Sequence, residues 1–205
     1  MNAAQSPQDI EFYFDFSSPY GYFASTRIDD LAAGFVRSVI WKPILLGVVF
    51  KETAMRPLAD IPIKGAYSKH DWERMSRMMD VPYRLPTQFP IGTQAAARAF
   101  YWLNDRDAGM ARLFAKSTFH AYFAENVDIS APAAVLDIAT ALHVKRDELS
   151  QALQDLAVKD RLRTENTNAM TKGVFGSPFF IVDGEPFFGS DRMWMVKKWM
   201  QGESW

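Results

Sequence analysis

The sequence predicts an α/β protein in which one mixed sheet is assembled from both ends of the chain, with a long helical block inserted between them. Three observations predict it. The first 41 residues read as strand, helix, strand, and a connection of that length suits a parallel pair with a right-handed crossover. Near the C-terminus, Asp183-Gly184 stands between two short apolar runs, the signature of a β-hairpin. Between these ends the apolar residues recur at helical spacing, and no repeat or linker divides the chain.

The elements follow in order. Residues 10–16 (IEFYFDF) form the first strand, dense in aromatics. Ser18 caps a helix whose first position is Pro19, where a missing N–H costs nothing. Tyr20, Phe23, Ala24, Ile28 and Leu31 share one face of this helix, and Gly34 ends it. Residues 35–41 (FVRSVIW) form the second strand. Pro43, Pro57, Pro62, Pro82, Pro86 and Pro90 then interrupt the chain. Residues 44–68 read as mostly loop with a short helix, and 69–80 as a helix. Thr93 opens an Ala-rich helix, and Ala108 to Ala124 keeps the helical period. Ser130 caps the next helix, with Pro132 in its first turn. Leu149, Ala152, Leu153 and Leu156 mark another, and residues 159–171 continue as a polar surface helix. Pro186 places the second hairpin strand at a sheet edge. Ser190 and Asp191 open the last helix.

Composition narrows the function. The chain has 205 residues, of which 48% are hydrophobic and 23% charged, which suits a globular protein and excludes disorder. A net charge of −1 supplies no field for nucleic acid. There is no cysteine, so disulfide exchange, thiolate metal sites and a thiol nucleophile of its own are excluded. The three histidines show no metal spacing, and His120, among aromatics, reads as a core residue. Asp60, Asp71 and Asp80 are scattered and read as solvated. Residues 1–9 lack the basic-then-apolar pattern of a leader, and no run approaches the ~20 apolar residues that span a bilayer. The expected location is cytoplasmic, with no membrane or nucleic-acid partner. Trp72, Phe89, Phe100, Tyr101 and Trp102 either line an apolar cavity between sheet and insertion or simply fill the core.

Ser18 is the candidate centre. At a helix start it offers a hydroxyl, free backbone N–H groups and the positive end of the helix dipole. That set suits an external thiolate, and it equally suits a plain N-cap. Pro178, at a strand entry, is either a cis residue that leaves a backbone edge open or a trans residue ending a loop. Ser190 and Asp191 are a cap with a first-turn acid, and both can also hold a ligand. Lys64 alone is a surface charge.

Five motifs in this order, YFDFSSPYGYFA at 13–24, WKPILLG at 41–47, IPIKGAY at 61–67, VFGSPFF at 174–180 and FGSDRM at 188–193, carry a resemblance. The chain resembles the 2-hydroxychromene-2-carboxylate isomerases and kappa-class glutathione transferases, within the DsbA-like branch of the thioredoxin superfamily. The resemblance implies a thioredoxin-like fold with a large inserted all-helical domain. Its parts are 8–45 plus 172–205, with 46–171 as connecting segment and helical insertion. It implies glutathione as cofactor, a small aromatic substrate and a homodimer. Ser18 becomes the catalytic residue, hydrogen-bonded to the glutathione sulfur. Ser177 and Pro178 bind the cysteinyl main chain, Ser190 and Asp191 the γ-glutamyl end, and Lys64 the glycyl carboxylate. Met55 stands where the kappa class has an asparagine. No metal is implied. The implied activity is isomerisation in aromatic catabolism, by reversible addition of the thiolate to a conjugated substrate. A conjugate-forming transferase, or a non-catalytic binding protein, are the alternatives.

Overall fold

The computed structural model describes residues 8–203 and 205. Of the N-terminal leader reading, residues 1–7 therefore lie outside the described residues. Strand β1 is Ile10–Phe14 and β2 is Val39–Pro43, with α1 (Pro19–Ser25) and α2 (Ile28–Ala33) between them. The insertion holds α3 (Leu46–Thr53), a 3-10 turn at Leu58–Asp60, α4 (Lys64–Met79), α5 (Gln94–Asn104), α6 (Ala108–Phe123), α7 (Pro132–Ala141), α8 (Arg146–Gln154) and α9 (Leu156–Thr171). The C-terminal part adds β3 (Phe179–Val182), β4 (Glu185–Phe188), a 3-10 turn at Ser190–Arg192 and α10 (Met193–Met200).

The four strands form one sheet in the order β2-β1-β3-β4. β1 and β2 are parallel, while β1–β3 and β3–β4 are antiparallel. The ends of the chain thus supply the sheet, and α3 to α9 intervene. Asp183 and Gly184 both adopt positive φ (53° and 86°), as a two-residue primed turn requires. Pro186 lies on β4, an edge strand, where its missing N–H breaks no ladder.

Alternation along β1 sorts its residues between two faces. Ile10, Phe12 and Phe14 enter the main core, where Phe12 packs against Phe180 and both Phe12 and Phe14 meet Trp41. Phe14 also meets Phe100 and Phe119 of the insertion. Tyr13 points the other way, into a smaller cluster with Ile44, Val49, Ala169, Val174 and Phe179. Phe100 and Tyr101 are core, as is Trp72, which lies edge-on to Phe89. They fill the interior.

Several local expectations need correction. The first strand ends at Phe14, because Asp15 turns out of the ladder. The helix after Pro19 is two helices. The Ser25 and Thr26 hydroxyls donate back to the Tyr22 and Phe23 carbonyls (2.6 and 2.8 Å), competing with helix propagation. The second strand is not 35–41 but Val39–Pro43, since Val36 sits at φ 55° in the turn closing α2. Residues 44–68 are richer in helix than expected, and the helix placed at 69–80 starts at Lys64. Ala131, not Ser130, caps α7, because the Ser130 hydroxyl donates to Asp128 instead. Leu156 opens α9, since Asp155 is extended and caps Ala157. α9 is not wholly a surface helix, for Leu162, Glu165, Asn166 and Ala169 are buried. His120 is not a core residue: its side chain is half-exposed and faces Glu125 at 3.5 Å. Among the described residues no helix is long and apolar enough to cross a membrane, and none of their His, Asp and Glu side chains cluster as a metal site.

Candidate active site at the start of helix α1

Two segments far apart in sequence meet here. β1 delivers the chain to Ser18, whose extended backbone and side chain cap α1, accepting the Gly21 N–H at 3.0 Å. β3 begins just after Ser177 and Pro178, joined by a cis peptide bond. The Ser18 hydroxyl donates to the Ser177 carbonyl at 3.0 Å. Both residues are buried. The Gly189 N–H donates to the Pro178 carbonyl (3.0 Å), and the Ser177 N–H has no acceptor among the described residues. A Cβ on Gly21 would come within 2.8 Å of Ser177 Oγ and 3.2 Å of Ser18 Cβ. Only glycine leaves room for this approach.

Asp15 organises the corner, and sequence reasoning missed it. Its carboxylate accepts from the Ser17 N–H (2.8 Å), the Leu46 N–H (2.7 Å) and the Thr93 hydroxyl (2.9 Å). Its backbone N–H donates to Ser177 Oγ (3.0 Å), and its carbonyl accepts the Ser18 N–H (2.9 Å). One residue therefore ties β1, both serines of the site and the starts of α3 and α5. Burial pushes its carboxyl above the ordinary range, against these three hydrogen bonds. The signal was available: an acid ends a run that is otherwise almost entirely apolar. Ser17 faces away from Ser177, its hydroxyl accepting the Ile91 N–H (3.1 Å).

Helix α4 closes one side. The Tyr20 hydroxyl donates to Asp71 (2.8 Å), which also binds Arg74, and Arg74 donates to the Tyr67 hydroxyl (3.2 Å). Asp71 is thus bonded rather than simply solvated. Burial and the Asp71 hydrogen bond push the Tyr20 phenol up, and the charge of Asp191 adds a little to this. Ser190 and Asp191 do not open or cap the last helix, which starts at Met193 after Arg192; they lie in a 3-10 turn that packs against α1. Gly189 precedes it at φ 104°, a conformation that favours glycine. Asp191 is exposed and paired with Arg192 (2.7 Å).

The structure therefore brings Ser18, Ser177 and Pro178 into one corner and sets Ser190 and Asp191 beside α1. Lys64 occupies the first turn of α4, where it is exposed and its ammonium has no partner among the described residues. Met55 is also exposed. Chemically, the corner offers a hydroxyl at a helix start beside a strand-like backbone edge.

Comparison with known proteins places this architecture. Glutathione S-transferase kappa 2 from Caenorhabditis elegans is 29% identical over 90% of this chain and 88% of its own length. The 2-hydroxychromene-2-carboxylate isomerase of Sphingobium xenophagum is 24% identical over 93% of this chain and 97% of its own. A solved 2-hydroxychromene-2-carboxylate isomerase superposes with a TM-score of 0.86, at 23% identity, covering 95% of each chain. The cytosolic disulfide reductase DsbM from Pseudomonas aeruginosa, solved with GSH, shares the fold at a TM-score of 0.65 and 12% identity, over 95% of this chain and 96% of that one. The model of the DSBA-like thioredoxin domain matches residues 9–201, and with that span, which takes in the sheet, the insertion and the Ser18 corner alike, the chain belongs to the DSBA-like thioredoxin domain family.

Proposed function

We propose that this protein is a glutathione-dependent enzyme of the 2-hydroxychromene-2-carboxylate isomerase type. The observation that carries the reading is the Ser18 hydroxyl, held at the start of α1 and over the backbone of Ser177. The fit to a cysteinyl peptide rests on Ser177. Its buried main chain offers an N–H without an acceptor and a carbonyl with a second lone pair. Such an edge pairs with an extended peptide as a strand would. When bound, glutathione supplies the thiol nucleophile that this cysteine-free chain lacks.

The chain's own residues would do the rest. Ser177 and Pro178 hold the cysteinyl main chain. Ser18 donates its hydroxyl toward the sulfur, and the start of α1 favours negative charge there. Asp191 would face the ammonium of the γ-glutamyl end, and Ser190, at the start of the 3-10 turn, the carboxylate. Lys64 reaches the glycyl carboxylate. Glutathione held by these residues would supply a thiolate for reversible addition to a conjugated aromatic substrate. The proposal includes a homodimer acting in the cytoplasm.

Relatives named as isomerases and as kappa transferases match at comparable identity, which supports a conjugate-forming transferase as the second reading. Both reactions share thiol activation. The deciding experiment is a glutathione titration that follows ultraviolet thiolate absorbance across pH. Saturable binding with a thiol pKa well below that of free glutathione, lost in Ser18→Ala, is the expected result. No binding at millimolar glutathione would sink the proposal in favour of a binding protein. Product analysis then separates the two enzymes, since glutathione is regenerated in one and consumed in the other.

A further inference from the structure

Ser18 has a single proton to give, and the structure shows it already given. A hydroxyl is one donor and two acceptor sites. Ser18 Oγ accepts from Gly21 (3.0 Å) and donates to the Ser177 carbonyl (3.0 Å). It cannot donate to a sulfur at the same time. Turning the proton away would leave the carbonyl of a buried residue without its donor, an unfavourable exchange. A small thiol arriving alone therefore competes with Ser177 for the proton.

A ligand that brings its own N–H to the Ser177 carbonyl removes this competition. The same ligand can accept from the Ser177 N–H, which has no partner among the described residues. We infer that the site activates a thiol only when the thiol stands beside a main-chain amide that pairs with Ser177. Its substrate class is then peptides of cysteine with an acylated nitrogen, and not simple alkyl thiols. This rests on the proposed function and adds a selection rule to it. The ligand amide takes over the Ser177 carbonyl. Ser18 keeps its bond from Gly21 and re-aims its proton at the sulfur. The proton lost from the thiol goes to solvent, and Ser18 retains its own, so no bond in the chain is made or broken covalently. Gly21 keeps the two segments close enough for the exchange.

The test compares glutathione with its analogue methylated on the cysteinyl nitrogen, each titrated to saturation. Calorimetry reads binding and ultraviolet absorbance reads thiolate. The expected thiol pKa is at least about one unit lower for bound glutathione, a tenfold higher ratio of thiolate to thiol. Equal thiolate with both ligands overturns the inference and leaves the proposed function standing. Glutathione bound only as the thiol, or not bound, overturns the proposed function and this inference with it. If the methyl group prevents binding, N-acetylcysteine and 3-mercaptopropionate make the same comparison, and equal thiolate fractions with these two also overturn it.

Discussion

Around Ser18 the polar side chains are buried and bonded within the chain, whereas Lys64 and Asp191 stand in water with at most a neighbour on their own segment. The corner is built before any ligand arrives. Asp15, Ser17, Ser18 and Ser177 fix each other through bonds of 2.8 to 3.0 Å. The rim works through exposed charge, screened by solvent and costly to hold in one place. The difference teaches where each kind of energy resides. On the proposed function, the preorganisation that governs the chemistry would sit in the corner, and recognition of the ligand's ends at the rim.

Breaking the corner should have the largest effect. Asp15→Ala orphans three donors, and at ~1 kcal/mol or more for each unsatisfied group the loss should be about 3 kcal/mol. Urea unfolding reads it, and a change under ~1 kcal/mol, the range of ordinary substitutions, would show that Asp15 does not organise the corner. The pH dependence has a definite sign. Burial holds the folded Asp15 carboxyl above its ordinary 3.8. The folded state therefore binds that proton more tightly than the unfolded chain does. Its contribution is complete below 3.8 and is lost as pH rises through the folded value. The unfolding free energy of the wild type minus that of Asp15→Asn should fall as pH is raised through this window. A difference that rises with pH would contradict the burial argument.

Ser18→Ala separates fold from chemistry. Loss of the cap should cost about 1 kcal/mol of stability, while turnover at saturating glutathione should fall ~10²-fold, as when one preorganised donor is removed. Equal rates in the two proteins would reduce Ser18 to a cap. Asp191→Asn should do the reverse. Its side chain is 69% exposed, so stability should move by no more than about 0.5 kcal/mol. The KM for glutathione should rise about tenfold with kcat unchanged, the mark of binding shared by ground and transition states. A fall in kcat with constant KM would move Asp191 into the chemistry and blur the division between corner and rim.

What the sequence disclosed follows the range of the interactions. The Asp183-Gly184 turn and the Ser18-Pro19 helix start are decided by residues side by side, and the structure has both. The helix break at Ser25 and Thr26 is also local, yet hydroxyls bonding back to carbonyls leave the apolar period of that stretch intact, so the period alone runs through it. An acid in an apolar run marks Asp15 as unusual, but its partners are out of reach for another reason. Its partners lie 31, 78 and 162 residues away, and no spacing rule connects them. Asp71 is similar, with Tyr20 51 residues distant. His120 shows the converse failure. Aromatic neighbours in sequence suggest burial, but on the helix Phe119, Tyr122 and Phe123 are buried while the His120 side chain between them reaches solvent.

Lys64 gives the smallest effect and the sharpest check on the rim. It begins α4 just after Ile63, which stands at φ 69° and 89% exposure. An exposed ammonium and a ligand carboxylate should be worth ~0.5–1 kcal/mol, a two- to fivefold change in KM. Lys64→Ala should show that change at low ionic strength and lose most of it near 1 M salt, where the Debye length shrinks to ~3 Å. Lys64→Arg should restore it, since charge rather than shape is at work. Should the change exceed about tenfold and survive high salt, the glycyl end would be held in a desolvated pocket, and the rim would then resemble the corner more closely than its exposure suggests.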